Sequence, residues 1–330
     1  MRRRHLLAGL IAPALLPGAA RSAAPAGFAD ETWSDAARGR QIPVRLRWPA
    51  GEGACALVIH SHGLGGSRAG GAAWGEAWQA AGLAVLHLQH PGSDSAVWQQ
   101  GGLRGARQAA SAEQYLARVA DARFVLDELE RRRAAGGAWS RVEFDTIGFS
   151  GHSFGARLTQ ALAGERAVGR WRAKRTEGLV ELRLRAFIAF SPGFNERDGL
   201  DDTALRQRFG AITRPFLAIT GTDDDSMLVG DASNAARRAV YRGLPAGGRA
   251  QLVLDGADHA TFGGGTGIEQ ADARGGRRGP RAASLQAQHQ RVIAAISTDW
   301  WRWRLLGDDA ARQRLASPAG LTAADLWQQG

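Results

Sequence analysis

Residues 142–158 read VEFDTIGFSGHSFGARL, and the stretch changes character in its middle. Up to Ser150 it is rich in β-branched and aromatic residues, as a buried strand requires, and beyond Gly155 it carries helix formers. Between the two lies Ser153, with a glycine two residues away on either side. A strand that turns within one or two residues into a helix forces a residue at the turn into a strained backbone conformation. Its neighbours must be small, or strand and helix collide. Gly151 and Gly155 meet that need, and the turn lifts the Ser153 hydroxyl to the mouth of a helix. Gly-x-Ser-x-Gly alone is only moderately specific; after a buried strand and before a helix it marks Ser153 as a candidate nucleophile.

Working outward, short apolar runs alternate with helical patterns along the 330 residues. One or two strands are expected within 31–48, ending in the alternating IPVRLRW. Apolar strands are expected at 54–60, 83–90, 142–150, 184–191, 215–221 and 250–257. Helical spacing predicts helices near 71–81, 112–134, 155–163, 231–242 and 286–306, with a long loop between Pro91-Gly92 and residue 112. The alternation predicts an α/β fold, a mostly parallel sheet with helices on both faces. Two segments break it: the Arg-rich 164–183, a small lid or a solvated connection, and the Gly/Arg-rich 263–283.

In an open parallel sheet, reactive groups collect at the carboxyl ends of the strands, where Ser153 is expected. A serine hydroxyl needs a base to take its proton, and in this type of turn the chain order is serine, acid, histidine. Only His259 and His289 follow Ser153. His259, in LDGADHATF after the last apolar run, is the candidate base, and His289 is expected on a solvated helix face. The acid is expected after the fifth apolar run, where TGTDDDS offers Asp223, Asp224 and Asp225. The turn form Gly-Thr-x-Asp favours Asp224. Two backbone amides are needed for an oxyanion: Phe154, next to the nucleophile, and Leu64 in the glycine loop 62–66, HGLGG. His60 and His62 are expected to brace that loop.

Composition bounds the rest. Hydrophobic residues make up 44% and charged residues 22%, enough to bury a large core. Residues 1–24 read as an export signal: Arg2, Arg3 and Arg4, then an apolar run at 6–16, then small residues. Both a Sec and a twin-arginine signal fit it. The remainder, 25–330, is expected to be a single domain in the periplasm or secreted, without a stable membrane anchor. The net charge is +10, of which the four leader arginines account for part, and the other arginines are scattered among acids. No nucleic-acid partner is implied. Cys55 is the only cysteine, so no intrachain disulfide can form.

The combination of SHGLGG (61–66) with GHSFGA (151–156) resembles the serine α/β-hydrolases related to platelet-activating factor acetylhydrolase and the dienelactone-hydrolase-like bacterial esterases. The resemblance runs from about residue 40 to 306 in motif order. It implies an eight-stranded sheet with a small lid or none, and a triad of Ser153, Asp224 and His259. It also implies oxyanion donors at Leu64 and Phe154, no cofactor, no metal, and a small ester substrate cleaved through an acyl-enzyme. Platelet-activating factor acetylhydrolase resembles a variant with the acid after the sixth sheet strand, where this chain has Ser191-Pro192. Dienelactone hydrolases proper use cysteine where this chain has serine. Neither phospholipid nor dienelactone specificity is therefore implied. Lactones and polyesters stay open as substrates, and Trp74, Trp78, Trp98 and Trp171 are expected in the core rather than in an acyl pocket.

Three other readings compete with this one. A dinucleotide site at the glycine loop would need glycine at 68, where Arg68 stands, and an acid after 83–90, which ends in HLQH. A metallohydrolase could draw on His60, His62, His87, His90 and Asp94, but the usual metal motifs are missing. A non-catalytic binding scaffold would be expected to have lost a triad member, and here all three are assignable.

Overall fold

The computed structural model describes residues 27–166, 178–196, 199–225, 233–265 and 279–330. The expected export signal, Trp171 and most of the expected lid at 164–183 and of 263–283 lie outside the described residues. Strands β1 (Ala29–Asp35), β2 (Arg40–Arg47), β3 (Cys55–Ser61), β4 (Ala84–Leu88), β5 (Val142–His152), β6 (Ala186–Phe190), β7 (Phe216–Asp223), β8 (Arg249–Asp258) and β9 (Leu326–Gln329) form one sheet. Their order is β1-β2-β4-β3-β5-β6-β7-β8-β9. The six strands from β4 to β8 across the centre are mutually parallel, and β2 and β9 run antiparallel to their inner neighbours.

Among the described residues nine strands replace the eight expected. The extra one, β9, is a four-residue edge strand, too short and too polar to register as an apolar run. The central strands explain themselves: β3, β4 and β6 are buried at every position, and their Val, Ile, Leu, Ala and Phe side chains alternate between two covered faces.

Eight α-helices lie among the described residues: α1 (Ala72–Ala80), α2 (Ala96–Ala109), α3 (Ala112–Ala135), α4 (Phe154–Ala163), α5 (Asp202–Phe209), α6 (Asn234–Gly243), α7 (Pro280–Leu306) and α8 (Asp309–Ala316). One apolar layer joins the sheet to α3–α6 through Val119, Val125, Leu158, Phe209 and Val240. The other joins it to α1, α7 and α8 through Trp74, Trp78, Ile296, Trp300, Trp301 and Leu315. Helix starts follow local chemistry: Ser111, Asp201, Ser233 and Asp308 each accept a backbone N–H of the first turn. Helix α2 occupies the expected long loop. Its glycines hid it, and one of them, Gly102 (φ 50°), breaks the helical path.

The arrangement fixes where a site can form. β3 and β5 are neighbours, with Ser61 opposite Gly151. The chain leaves β3 toward α1 on one face and leaves β5 into α4 on the other. The carboxyl ends of β3 and β5, where the two connections part, are the place where open parallel sheets carry their sites.

Candidate active site

Ser153 stands between β5 and α4 with φ 56° and ψ −110°, a positive-φ conformation rare for any residue with a side chain. Its amide donates to the Phe190 carbonyl of β6 at 2.9 Å, which ties the turn to the sheet. The flanking glycines are demanded by contact. A Cβ on Gly151 would lie 2.3 Å from the Gly155 carbonyl oxygen, and one on Gly155 would lie 2.1 Å from that of Ser61. Helix and strands therefore pack backbone to backbone beneath the serine.

The loops after β7 and β8 bring two further side chains to it. His259 Nε2 is 2.9 Å from Ser153 Oγ, and His259 Nδ1 is 2.7 Å from Asp224 Oδ1. Of the three adjacent acids, Asp224 makes this contact. Asp223 accepts from Thr222 Oγ1, and Asp225 accepts from the Asn234 amide. Asp224 is fully buried. Burial alone would raise its pKa, but Arg237 and His259 outweigh that and hold the carboxyl below its usual range. Thr220 Oγ1 donates to its second oxygen at 2.8 Å. Arg237 Nε lies 3.1 Å from Oδ1. The same guanidinium donates to the carbonyls of Asp224, Ser191 and Pro192, so the acid and its loop are held together. His152, inside the serine motif, meets the His259 carbonyl through Nε2 at 3.1 Å, with the two rings 4.8 Å apart.

The glycine loop passes beside the serine: a Cβ on Gly63 would be 3.4 Å from Ser153 Cβ. Phe154 is the first residue of α4, where a helical N–H has no partner inside the helix. His62 Nδ1 lies 2.5 Å from the Gly63 carbonyl, and its Nε2 accepts the His90 amide at 3.1 Å. His60 braces from below, with Nδ1 3.0 Å from Ser150 Oγ. Burial pushes His62 well below the usual imidazole pKa, with Arg118 adding to the effect, so the ring is neutral and Nδ1 carries the donated proton. Trp74 and Trp78 lie in the core, as expected, whereas Trp98 is half-buried and covers Gly65 of the loop. His289 differs from expectation. It is buried on α7, which starts at Pro280, because it falls on the same helix face as Ala282, Val292 and Ile296, while Ala287 close by is exposed.

A second buried chain of the same residue types lies behind the loop and was not foreseen. Ser61 Oγ is 2.9 Å from His90 Nε2, and His90 Nδ1 is 3.0 Å from Asp121 Oδ2. Arg38 and Arg40 pair with Asp121 from β1–β2. Arg118, one turn earlier on α3, is fully buried and donates into the glycine loop. Nothing in the helical pattern of α3 separates Arg118 and Asp121 from exposed charges, and nothing separates Arg237 from Arg238 on α6.

Among the described residues no group of three or more His, Cys, Asp or Glu side chains is arranged to hold a metal ion. No described helix is long and apolar enough to cross a membrane. Compared with known proteins, the chain matches no family model and no curated protein.

Proposed function

We propose that the chain is a serine hydrolase of carboxylic esters with an α/β-hydrolase fold, acting through an acyl-enzyme. The observation that carries the reading is the unbroken line Ser153 Oγ–His259 Nε2, His259 Nδ1–Asp224 Oδ1, at 2.9 and 2.7 Å, ending on a strained strand-to-helix turn. The chain order serine, acid, histidine and the mostly parallel sheet support it.

In this reading Ser153 Oγ attacks the ester carbonyl carbon while His259 Nε2 takes the hydroxyl proton. The carbonyl π electrons move onto oxygen, which faces the amides of Leu64 and Phe154. Asp224 holds the imidazole tautomer and stabilises the imidazolium. The intermediate collapses, the C–O bond to the alcohol breaks, and His259 returns the proton to the departing oxygen. A water then attacks the acyl carbon as His259 takes its proton. The acid leaves, and Ser153 regains its hydrogen. No cofactor enters these steps. The reading places the mature protein in the periplasm or outside the cell, following the leader at 1–24.

The test is labelling with a fluorophosphonate together with hydrolysis of a p-nitrophenyl ester series of increasing acyl length. Ser153 is expected to be the labelled residue, and the series ranks short esters against longer and polymeric ones. Turnover in a Ser153→Ala variant equal to that of the parent would reject the nucleophile. An unlabelled Ser153 in a protein without esterase activity would favour a binding scaffold.

A further inference from the structure

We infer that Arg118 is the positioning residue of the oxyanion hole, setting the direction of the Leu64 amide from behind; this rests on the serine-hydrolase reading above. Arg118 is fully buried on α3, and all its donors point into one small region. Nη1 donates to the His62 carbonyl at 2.6 Å. Nη2 donates to the carbonyls of Ser93 and Gly63 at 3.0 and 3.3 Å, and Nε to Ser93 Oγ at 2.8 Å. The Ser93 carbonyl in turn takes the Gly65 amide at 2.9 Å. The glycine loop is thus clamped on both sides of Leu64.

The consequence follows from peptide geometry. In a trans peptide the N–H points away from the C=O of the same unit. The Gly63 carbonyl is held by His62 Nδ1 and Arg118, so the Leu64 N–H of that peptide must point away from α3. Gly63 itself lies against Ser153. Leu64's amide finds no acceptor among the described residues, which leaves it open to a developing anion. The same guanidinium lies 4.6 Å from the centre of the Phe154 ring, the side chain of the residue carrying the other candidate donor. One buried cation therefore holds the peptide that carries the Leu64 amide and packs against the ring of Phe154. Within the loop the Gly66 amide also donates to the Gly63 carbonyl at 3.2 Å, so Arg118 acts together with this turn and His62 Nδ1 rather than alone.

A clamp of this kind acts where charge develops on the substrate oxygen, so its loss shows in kcat and not in KM. The experiment compares parent and Arg118→Lys for ester kcat and KM, for thermal midpoint, and for affinity toward phenylboronic acid, whose tetrahedral adduct with Ser153 mimics the oxyanion. In a folded Arg118→Lys protein, kcat is expected to fall about 10- to 100-fold, with boronate affinity falling in step and KM within about twofold. A folded variant with parental kcat and boronate affinity, or with the loss confined to KM, overturns the inference. If Arg118→Lys does not fold, Ser93→Ala removes the acceptor that fixes the guanidinium's roll and leaves the charge in place. It is expected to lower kcat and boronate affinity together by about 3- to 10-fold, and parental values for both overturn the inference. Failure of the parent to label with fluorophosphonate at Ser153 would instead sink the hydrolase reading itself.

Discussion

Two Ser–His–Asp chains begin at the carboxyl ends of the neighbouring strands β3 and β5, and their hydrogen bonds are nearly interchangeable. In both, the serine hydroxyl sits 2.9 Å from Nε2 of the histidine and the carboxylate bonds Nδ1, at 2.7 Å for His259 and 3.0 Å for His90. Each acid is paired with arginine, Asp224 with Arg237 and Asp121 with Arg38 and Arg40. The difference lies in the backbone beneath the serine and in access. Ser61 is the last residue of β3, held in the ladder opposite Leu88 and Gly151, and Ser61, His90 and Asp121 are all 0% exposed. Ser153 leaves the ladder in a strained turn, and Ser153 and His259 are each 7% exposed. Bond lengths alone do not make a nucleophile; a reachable hydroxyl with open amides beside it does. On the proposed function, the buried chain is a brace for the loop after β3.

Paired substitutions break or sharpen this comparison. Ser153→Ala is expected to lower ester kcat by about 10⁶-fold, with an unchanged melting temperature. Ser61→Ala is expected to keep turnover per folded molecule close to that of the parent. It leaves His90 Nε2 buried without its partner, at a cost of about 1–3 kcal/mol in urea unfolding. The comparison fails if Ser61→Ala silences the enzyme while Ser153→Ala does not. Next in size, Asp224→Asn is expected to lower kcat by about 10⁴-fold through the wrong imidazole tautomer, with the fold retained. Asp121→Asn is expected to act on stability instead. Its cost is roughly 2–3 kcal/mol, less than the loss of a fully buried pair, because Arg38 and Arg40 keep contact with water. Steady-state kinetics and denaturant midpoints on the four proteins read both columns of the comparison.

The same contrast explains how much the sequence could tell. The elbow at Ser153 is a local pattern, so strand, turn and helix are legible within fourteen residues. His259 and the acid cluster after β7 follow from chain order, because each sits at the end of an apolar run. What could not be read is what depends on facing. Arg118 and Asp121 look like any solvated pair at i and i+3 until the sheet packs against α3, and His289 looks exposed until α7 is seen to turn it inward. α2 escaped because glycines at 101, 102 and 105 mask a helix, and β9 because four residues carry no periodicity. Among three adjacent acids the Gly-Thr-x-Asp turn form favours Asp224, the one that meets His259 Nδ1, but leaves Asp223 and Asp225 open. The partners of Asp224, Thr220 and Arg237, carry no sequence mark.

The smallest effect per group, and the one that tests the brace most directly, is acid sensitivity. Burial, with Arg118 beside it, pushes the His90 pKa down to about 4 against the opposing pull of Asp121, and burial pushes His60 down to about 3. Both start from an unfolded value near 6.5. A depressed histidine pKa means that between the two values the unfolded chain binds a proton that the folded chain refuses. Stability therefore rises with pH across this window, is fully present above about 6.5, and drains away as pH falls toward 4. Each such histidine removes roughly 1 kcal/mol per pH unit. Asp121, held below the usual carboxylate range, has the same sign but acts only below about pH 4, the unfolded carboxylate value. Urea midpoints at pH 7.5 and 4.5 are expected to differ steeply in the parent and less in His90→Gln, whose amide does not titrate. Parallel pH slopes in the two proteins would mean that His90 is already protonated in the folded state. The buried chain would then be an ion pair rather than a neutral brace, and the contrast with the Ser153 chain would rest on access alone.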